Sequence, residues 1–299
     1  MPPTSSKATW RSPALGERKV LELSGGRRIA YFEAGSGPAI VFVHGLLVNG
    51  NLWRKVVERL SPDFRCIALD LPLGSHTLPM PDGAELGAPA IAEIVADALE
   101  ALGLDDVTLV GNDSGGAISQ IVVTTRPERV GKLVLTSCDY RDRFPPAMFA
   151  YFGPAARVPG AMAALLAPMR LSFPRHTPIA FGWLVKRTID RDAEDSYVYP
   201  AITDGGIRRD VRSFIKGSNP DQTNRAADRL GTFDRPALIA WAAEDKLFPL
   251  TDGERLAEDL PNSRLETIED ARTFSAEDNP ARLAEVIAGF VREPARAVA

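Results

Sequence analysis

The residues with the most chemical content are packed into one short segment. The apolar run Val107 to Val110 passes into Gly111-Asn112-Asp113-Ser114-Gly115-Gly116, and a helical pattern from Ala117 to Thr125 follows at once. A strand that becomes a helix within so few residues strains the backbone at the turn and leaves room only for very small neighbours. Gly111 and Gly115 bracket Asp113, so a carboxylate stands at the tip, where such turns present a nucleophile. Two other readings compete. Asp-Ser-Gly-Gly would let Ser114 attack, in a register that needs glycine at Asn112 and a β-barrel around it, or the turn is purely structural.

A nucleophile needs partners. Asp245 follows the apolar run Ala237 to Trp241, at a place where a solvated turn or helix-cap residue would also stand. Histidine, the usual base, is scarce: the chain has only His44, His76 and His176. His44 closes an apolar run. His76 ends the loop Leu71-Pro72-Leu73-Gly74-Ser75-His76, where it either reaches a pocket as a base or sits on the surface. His176, amid Arg170 and Arg175, reads as solvent-facing.

These residues must be carried on a scaffold. Val20 to Leu23 and Arg28 to Glu33 alternate as strands around Ser24-Gly25-Gly26. Ala39 to Val43, Cys66 to Leu69, Val107 to Val110 and Leu133 to Leu135 are short apolar runs, as in strands covered on both faces. Helical patterns lie between them, near Leu52 to Leu60 and Ile91 to Leu99. The alternation stops near Tyr140. A stretch rich in Pro, Met and aromatics follows, with helical patches at Ala161 to Leu166 and Ile207 to Ile215. Strand and helix resume at Ala237 to Trp241, Leu250 to Leu260, Arg264 to Ile268 and Ala281 to Val291. The expected fold is α/β: a doubly wound, mostly parallel sheet of eight strands, residues 18–139 and 230–299, with a helical cap inserted at 140–229. Catalytic loops belong at the carboxyl ends of such strands. Residues 1–17, polar with scattered Pro and Ser, are expected to form a flexible arm.

Composition narrows the classes. The 299 residues are 45% hydrophobic and 25% charged, as in a soluble globular protein. A net charge of -4 offers no footprint for nucleic acid, and no apolar run approaches the roughly 18 residues of a membrane helix. Cys66 and Cys138 lie in apolar runs and read as reduced core thiols, which points to a cytoplasmic protein without a metal cluster.

Val41-Phe42-Val43-His44-Gly45, the turn at Asp113 and Trp241-Ala242-Ala243-Glu244-Asp245 together resemble the anchor motifs of the α/β-hydrolase superfamily. The resemblance runs from about Leu21 to Val291, and an aspartate nucleophile resembles its epoxide hydrolase and haloalkane dehalogenase branch. It implies that the carboxylate attacks an electrophilic carbon and that a histidine, held by an acid, then activates water against the resulting ester. It further implies an oxyanion hole from the N–H groups of Leu46 and Ser114, Asp245 as the acid, and a structural His44. Asp139, just past its strand, is an alternative acid.

The departures matter as much. The last catalytic loop of the superfamily usually reads Asp-x-Gly-His-Phe; here it reads Asp270-Ala271-Arg272-Thr273-Phe274. Thr273 stands where the histidine belongs, no histidine follows His176, and threonine has no titratable group near neutral pH. Ser114 and Leu46 replace the Trp and Asn with which dehalogenases typically cradle halide, Leu47 replaces the Pro usual in epoxide hydrolases, and no Arg follows Asp113 as in fluoroacetate-type enzymes. Epoxide opening needs cap tyrosines, for which Tyr140, Tyr151, Tyr197 and Tyr199 are candidates, though packing is their alternative role. Arg272 and Arg141 to Arg143 could present charge at the rim.

The expectation is an enzyme acting on a small, mostly apolar organic substrate. Asp113 serves as nucleophile or general base in a degenerate triad with Asp245 and Thr273, and His76 is the candidate replacement base. A hydrolase-fold lyase or cyclase, or a ligand-binding pseudoenzyme, is the alternative. Neither cofactor nor metal, neither nucleic acid nor membrane is expected as a partner; a homodimer is admissible.

Overall fold

The computed structural model describes residues 4–294. Eight strands form one sheet in the order β1-β2-β4-β3-β5-β6-β7-β8. They are β1 Glu17–Glu22, β2 Arg28–Ala34, β3 Ala39–Val43, β4 Arg65–Asp70, β5 Val107–Asp113, β6 Val130–Cys138, β7 Ala237–Ala242 and β8 Ser263–Ile268. β2 runs antiparallel to β1 and β4, and every other pairing is parallel.

The central strands are mostly apolar because both faces are covered. Ile40 and Phe42 of β3 point into one core with Trp53 and Leu52; Val41 and Val43 point into the other with Leu109 and Ile118. That period of two, with helices on both sides, fixes the register, since a one-residue slip would exchange the two cores. Pairing within the sheet sets Val43 beside Gly111 and Gly111 beside Leu135. The carboxyl ends of β3, β5 and β6 therefore lie side by side, and the loops that leave them share one edge.

The helices fall where the periodicity places them: Arg54–Leu60, Ala88–Ala101, Ser114–Thr125, Leu250–Asp259 and Pro280–Arg292. Among the described residues no strand forms between Cys138 and Ala237. The chain there is helical, including Phe152–Arg157, Ala161–Leu166, Arg191–Thr203, Gly205–Gly217 and Pro220–Ala227. This insertion leaves from the carboxyl end of β6 and covers the shared edge.

The N-terminal segment differs from the expected flexible arm. Met1 to Pro3 lie outside the described residues, but Thr4–Thr9 is a helix, and Lys7 pairs with Asp195 of the insertion at 2.9 Å. Arg11 donates to both oxygens of Asp70, at 2.9 and 3.1 Å, and to the carbonyl of Ser75. Leu15 is fully buried and Trp10 packs on the same core. A few anchors hold a segment whose average polarity resembles that of a loose terminus.

Candidate active site

Asp113 is the last residue of β5 and directly precedes the helix Ser114–Thr125. Its backbone has φ 53° and ψ -133°, a region that residues with a side chain rarely occupy and that costs on the order of 1–3 kcal/mol. The glycines make the turn feasible. A Cβ on Gly115 would lie 2.4 Å from the carbonyl oxygen of Val43, and one on Gly45 would lie 2.2 Å from Asp113 Oδ2. The loop after β3 can thus press against the carboxylate only because residue 45 has no side chain.

The backbone N–H groups of Ser114 and Leu46 lie near the Asp113 carboxylate and favour its charged form. Burial outweighs them: it raises the group to about 7, and the negative charge of Asp245 adds to the rise. Asp113 is 8% exposed, and that exposure faces a cavity of about 550 Å³. The lining is largely apolar, from Leu46 and Leu47 below to Phe144, Phe149, Leu166, Phe181 and Phe214 of the insertion.

Asp245 and Thr273 meet in the same neighbourhood. Asp245 Oδ1 accepts the N–H groups of Leu247 and Phe248 at 2.8 and 2.9 Å and the hydroxyl of Thr273 at 2.9 Å. Its Oδ2 has no hydrogen-bond partner among the described residues. Burial raises the Asp245 carboxyl, and these donors partly offset it. Asn112, the chain neighbour of Asp113, donates to the carbonyl of Thr273 at 2.8 Å and to Thr136 Oγ1 at 2.9 Å. The strained turn, the end of β6 and the loop after β8 are therefore tied into one unit.

A third carboxyl stands against Asp113. Asp139 follows β6, is fully buried, and has no hydrogen-bond partner on either oxygen among the described residues. Burial first, and then the negative charge of Asp113, push it well above the ordinary carboxylate range. The nearby Ser114 hydroxyl offsets this only weakly, without reaching hydrogen-bond geometry.

The histidines do other work. His44 Nε2 accepts the N–H of Leu71 at 2.9 Å, which leaves Nδ1 to donate to the carbonyl of Gly45 at 2.9 Å. Burial lowers it to about 4, so it is a neutral brace for the loop that carries Leu46. His76 does not reach the cavity, contrary to the expectation of a replacement base, nor is it on the surface. It is buried, with Nε2 3.2 Å from Asp210 Oδ2 and Nδ1 accepting the N–H of Gly74 at 3.3 Å. Asp210 comes from the insertion, so His76 fastens the insertion to the sheet. His76→Ala is expected to lower stability by about 1–3 kcal/mol, because it removes one buried partner of the Asp210 carboxyl, which keeps the N–H of Met80 and the guanidinium of Arg209, and leaves a cavity where the ring packed. Denaturant unfolding should show that loss while reaction at Asp113 continues unchanged; a lost reaction in a folded variant would return His76 to the chemistry.

Of the four tyrosines only Tyr151 lines the cavity, and its hydroxyl is committed to the carbonyl of Ile179 at 2.9 Å. Tyr140 bonds Asp259, Tyr197 bonds Glu277, and Tyr199 lies under Lys7 and Arg175. Arg272 binds the carbonyls of Gly182 and Val185, Arg141 pairs with Asp228 and Asp259, and Arg143 with Asp252, so none is a free rim charge. His176 is half-exposed, 3.2 Å from Glu194. Cys66 and Cys138 are free and buried. Sequence reasoning missed Arg157, the one basic side chain lining the cavity; the lack of any acidic residue from Arg143 to Ile189 was the available signal.

The unfavourable carboxylate has a measurable consequence. A carboxyl raised from 3.8 to about 7 on folding leaves the native state with more bound protons than the unfolded chain between those values. Stability therefore falls as pH rises through that window and stays lower above it. Asp113→Asn is expected to stabilise the fold on the order of 2 kcal/mol at pH 8 and by much less at pH 4, as read from unfolding midpoints.

Known proteins were compared with this chain. A family model described as alpha/beta hydrolase fold matches residues 38–178. Haloalkane dehalogenase 2 of Mycobacterium bovis is 30% identical over 274 residues, 87% of this chain and 90% of that protein. The uncharacterized hydrolase YugF of Bacillus subtilis is 28% identical over 282 residues, 88% of this chain and 94% of that protein. Among solved structures, a DBJA mutant superposes with a TM-score of 0.75 at 22% identity, covering 92% of this chain and 98% of its own. Epoxide hydrolase CorEH gives 0.74 at 21% identity, with the same coverage.

Proposed function

The chain belongs to the α/β-hydrolase fold family, and on that premise we propose that it is an enzyme acting on a small, mostly apolar organic electrophile through the carboxylate of Asp113. The observation that carries this reading is the Asp113 carboxylate itself. It sits on a strained turn, lies near two backbone N–H groups that favour its charge and faces an apolar cavity. Strain of this kind persists only where the surrounding structure enforces it, and here it points a charged group into a place where charge is costly.

The chemistry is displacement. A carboxylate oxygen of Asp113 donates a lone pair to a saturated carbon, forming the new O–C bond, while the bond to the leaving group breaks and the leaving group departs with the electrons of that broken bond. The product is an alkyl ester on Asp113. The N–H groups of Leu46 and Ser114 hold the other oxygen and fix the angle of attack. Hydrolysis of the ester needs water to lose a proton. Thr273 has no group to accept it, and Asp245 holds a hydroxyl where the related architecture holds an imidazole. Capture is thus expected to outrun release. The triad is degenerate in this one position.

Two features narrow the substrate. Among the described residues no indole N–H lines the cavity to cradle a halide, and the one tyrosine that lines it, Tyr151, has its hydroxyl committed to the carbonyl of Ile179 rather than to an epoxide oxygen. The leaving group must therefore be a good one in its own right. A second reading, proton abstraction by Asp113 in a lyase or cyclase, is favoured by a base poised at about 7.

The pH dependence of labelling tests the reading. Only the ionised carboxylate attacks, so labelling by a short alkyl bromide should rise about tenfold per pH unit below 7 and level off above it. Peptide mapping should find the label on Asp113. A flat profile, or a label elsewhere, would count against displacement; turnover of a carbon acid without any label would favour proton abstraction.

A further inference from the structure

The most exposed large apolar side chains are not scattered. Val158, Leu171, Phe173 and Ile179 are 55%, 67%, 81% and 59% exposed, and all lie in the insertion; the next, Val20 on edge strand β1, is 37% exposed. Phe173 and Ile179 line the cavity together with Arg157, so they surround its mouth. Val158 follows Arg157 directly, and Leu171 is two residues from Phe173. Scattered exposed apolar residues need no explanation, but a cluster around a cavity entrance marks a contact surface.

Charge says what kind of surface. From Arg143 to Ile189 the chain has no Asp or Glu and six Lys or Arg, within a protein of net charge -4. Four of these cations are answered by carboxylates from outside the stretch: Arg143 by Asp252, Arg175 by Glu194 and Asp195, Lys186 by Glu244 and Asp270, and Arg187 by Asp270. The two that remain are Arg157 and Arg170. Arg157 bonds only the carbonyl of Gly153, at 3.0 Å, and neither has a carboxylate partner among the described residues. Both are exposed, one beside Val158 and the other beside Leu171.

We propose that this face of the insertion docks on an anionic lipid surface, with Phe173, Leu171, Ile179 and Val158 in the acyl boundary and Arg157 and Arg170 against lipid phosphates. Apolar side chains next to unpaired arginines, in a stretch that has no acidic residue of its own to repel the headgroups, match such an interface on both counts. No helix among the described residues is long and apolar enough to cross a membrane, so the contact is peripheral. The expected absence of a membrane partner rested on the lack of a span, which a surface contact does not need. Docking would set the cavity mouth against the lipid, so apolar ligands could enter without crossing water. The proposal holds whatever reaction Asp113 performs.

Vesicle co-sedimentation of the full chain tests it. Vesicles of phosphatidylcholine and phosphatidylglycerol in equal parts should bind the protein, and pure phosphatidylcholine vesicles should bind it several-fold less. Binding should weaken in high salt. The surface variant Phe173→Asp with Leu171→Asp should lose binding roughly tenfold or more, as should Arg157→Glu with Arg170→Glu, with unfolding midpoints unchanged. Absent binding to both vesicles, or equal binding by folded variants, would overturn the proposal. So would a dimer in lipid-free buffer that Phe173→Asp dissociates, since the face would then be a contact between two copies.

Discussion

In the Thr273→His protein, an alkyl ester on Asp113 is expected to disappear about 100-fold faster than in the native chain. The surroundings already suit an imidazole. Asp245 Oδ1 accepts the Thr273 hydroxyl at 2.9 Å, while Oδ2 is buried and without a partner among the described residues. The carbonyl of residue 273 is pinned by Asn112, which fixes the loop relative to the turn that bears Asp113. A ring nitrogen taking the place of the hydroxyl would be oriented by Asp245 and leave the second nitrogen free to take a proton from water. The position is fully buried, so the larger side chain carries an overpacking cost of about 1–3 kcal/mol, visible as a lowered unfolding midpoint. Thr273→Gln provides the control: similar bulk, no titratable group, and no faster decay. Decay in the histidine variant should also rise with pH as the imidazole loses its proton. Equal ester lifetimes in the native, histidine and glutamine proteins would mean that the missing base is not what limits release.

Asp113→Asn should abolish capture, lowering the labelling rate by more than about 1,000-fold. The amide keeps the size of the carboxyl but offers no anionic oxygen. Asp139→Asn separates the nucleophile from its neighbour. Asp139 is fully buried and its carboxyl is pushed well above the ordinary carboxylate range, so an uncharged amide changes little there. That variant should label within about threefold of the native rate. The opposite pattern, with loss at 139 and retention at 113, would move the reacting carboxylate to the end of β6.

The part of this site that was legible in the sequence is the part enforced by local sterics. Gly111 and Gly115 signal a strained turn because no other residue fits beside it, and the apolar runs signal buried strands because both faces lack water. Thr273 was legible as a departure only because the order of motifs fixed its place. What the sequence hid depends on partners far along the chain. His76 could be placed on the right loop, but Asp210, 134 residues away on the insertion, decides that it is structural. The tyrosines were candidates until the hydroxyls of Tyr140, Tyr151 and Tyr197 were seen bonded and Tyr199 was seen away from the cavity, under Lys7 and Arg175. The arm anchored by Arg11 and Leu15 looked loose because composition averages over single contacts. Asp139 could be named as an acid from its position, yet the lack of a hydrogen-bond partner for either carboxyl oxygen among the described residues is a property of packing alone.

The most direct measurement is bromide release from a short alkyl bromide held in large excess over the protein, followed together with intact mass. Capture without a base for release predicts a burst of about one bromide per chain, a matching gain of one alkyl group on Asp113, and then a plateau. Steady linear release of many bromides per chain, with no mass gain, would contradict it.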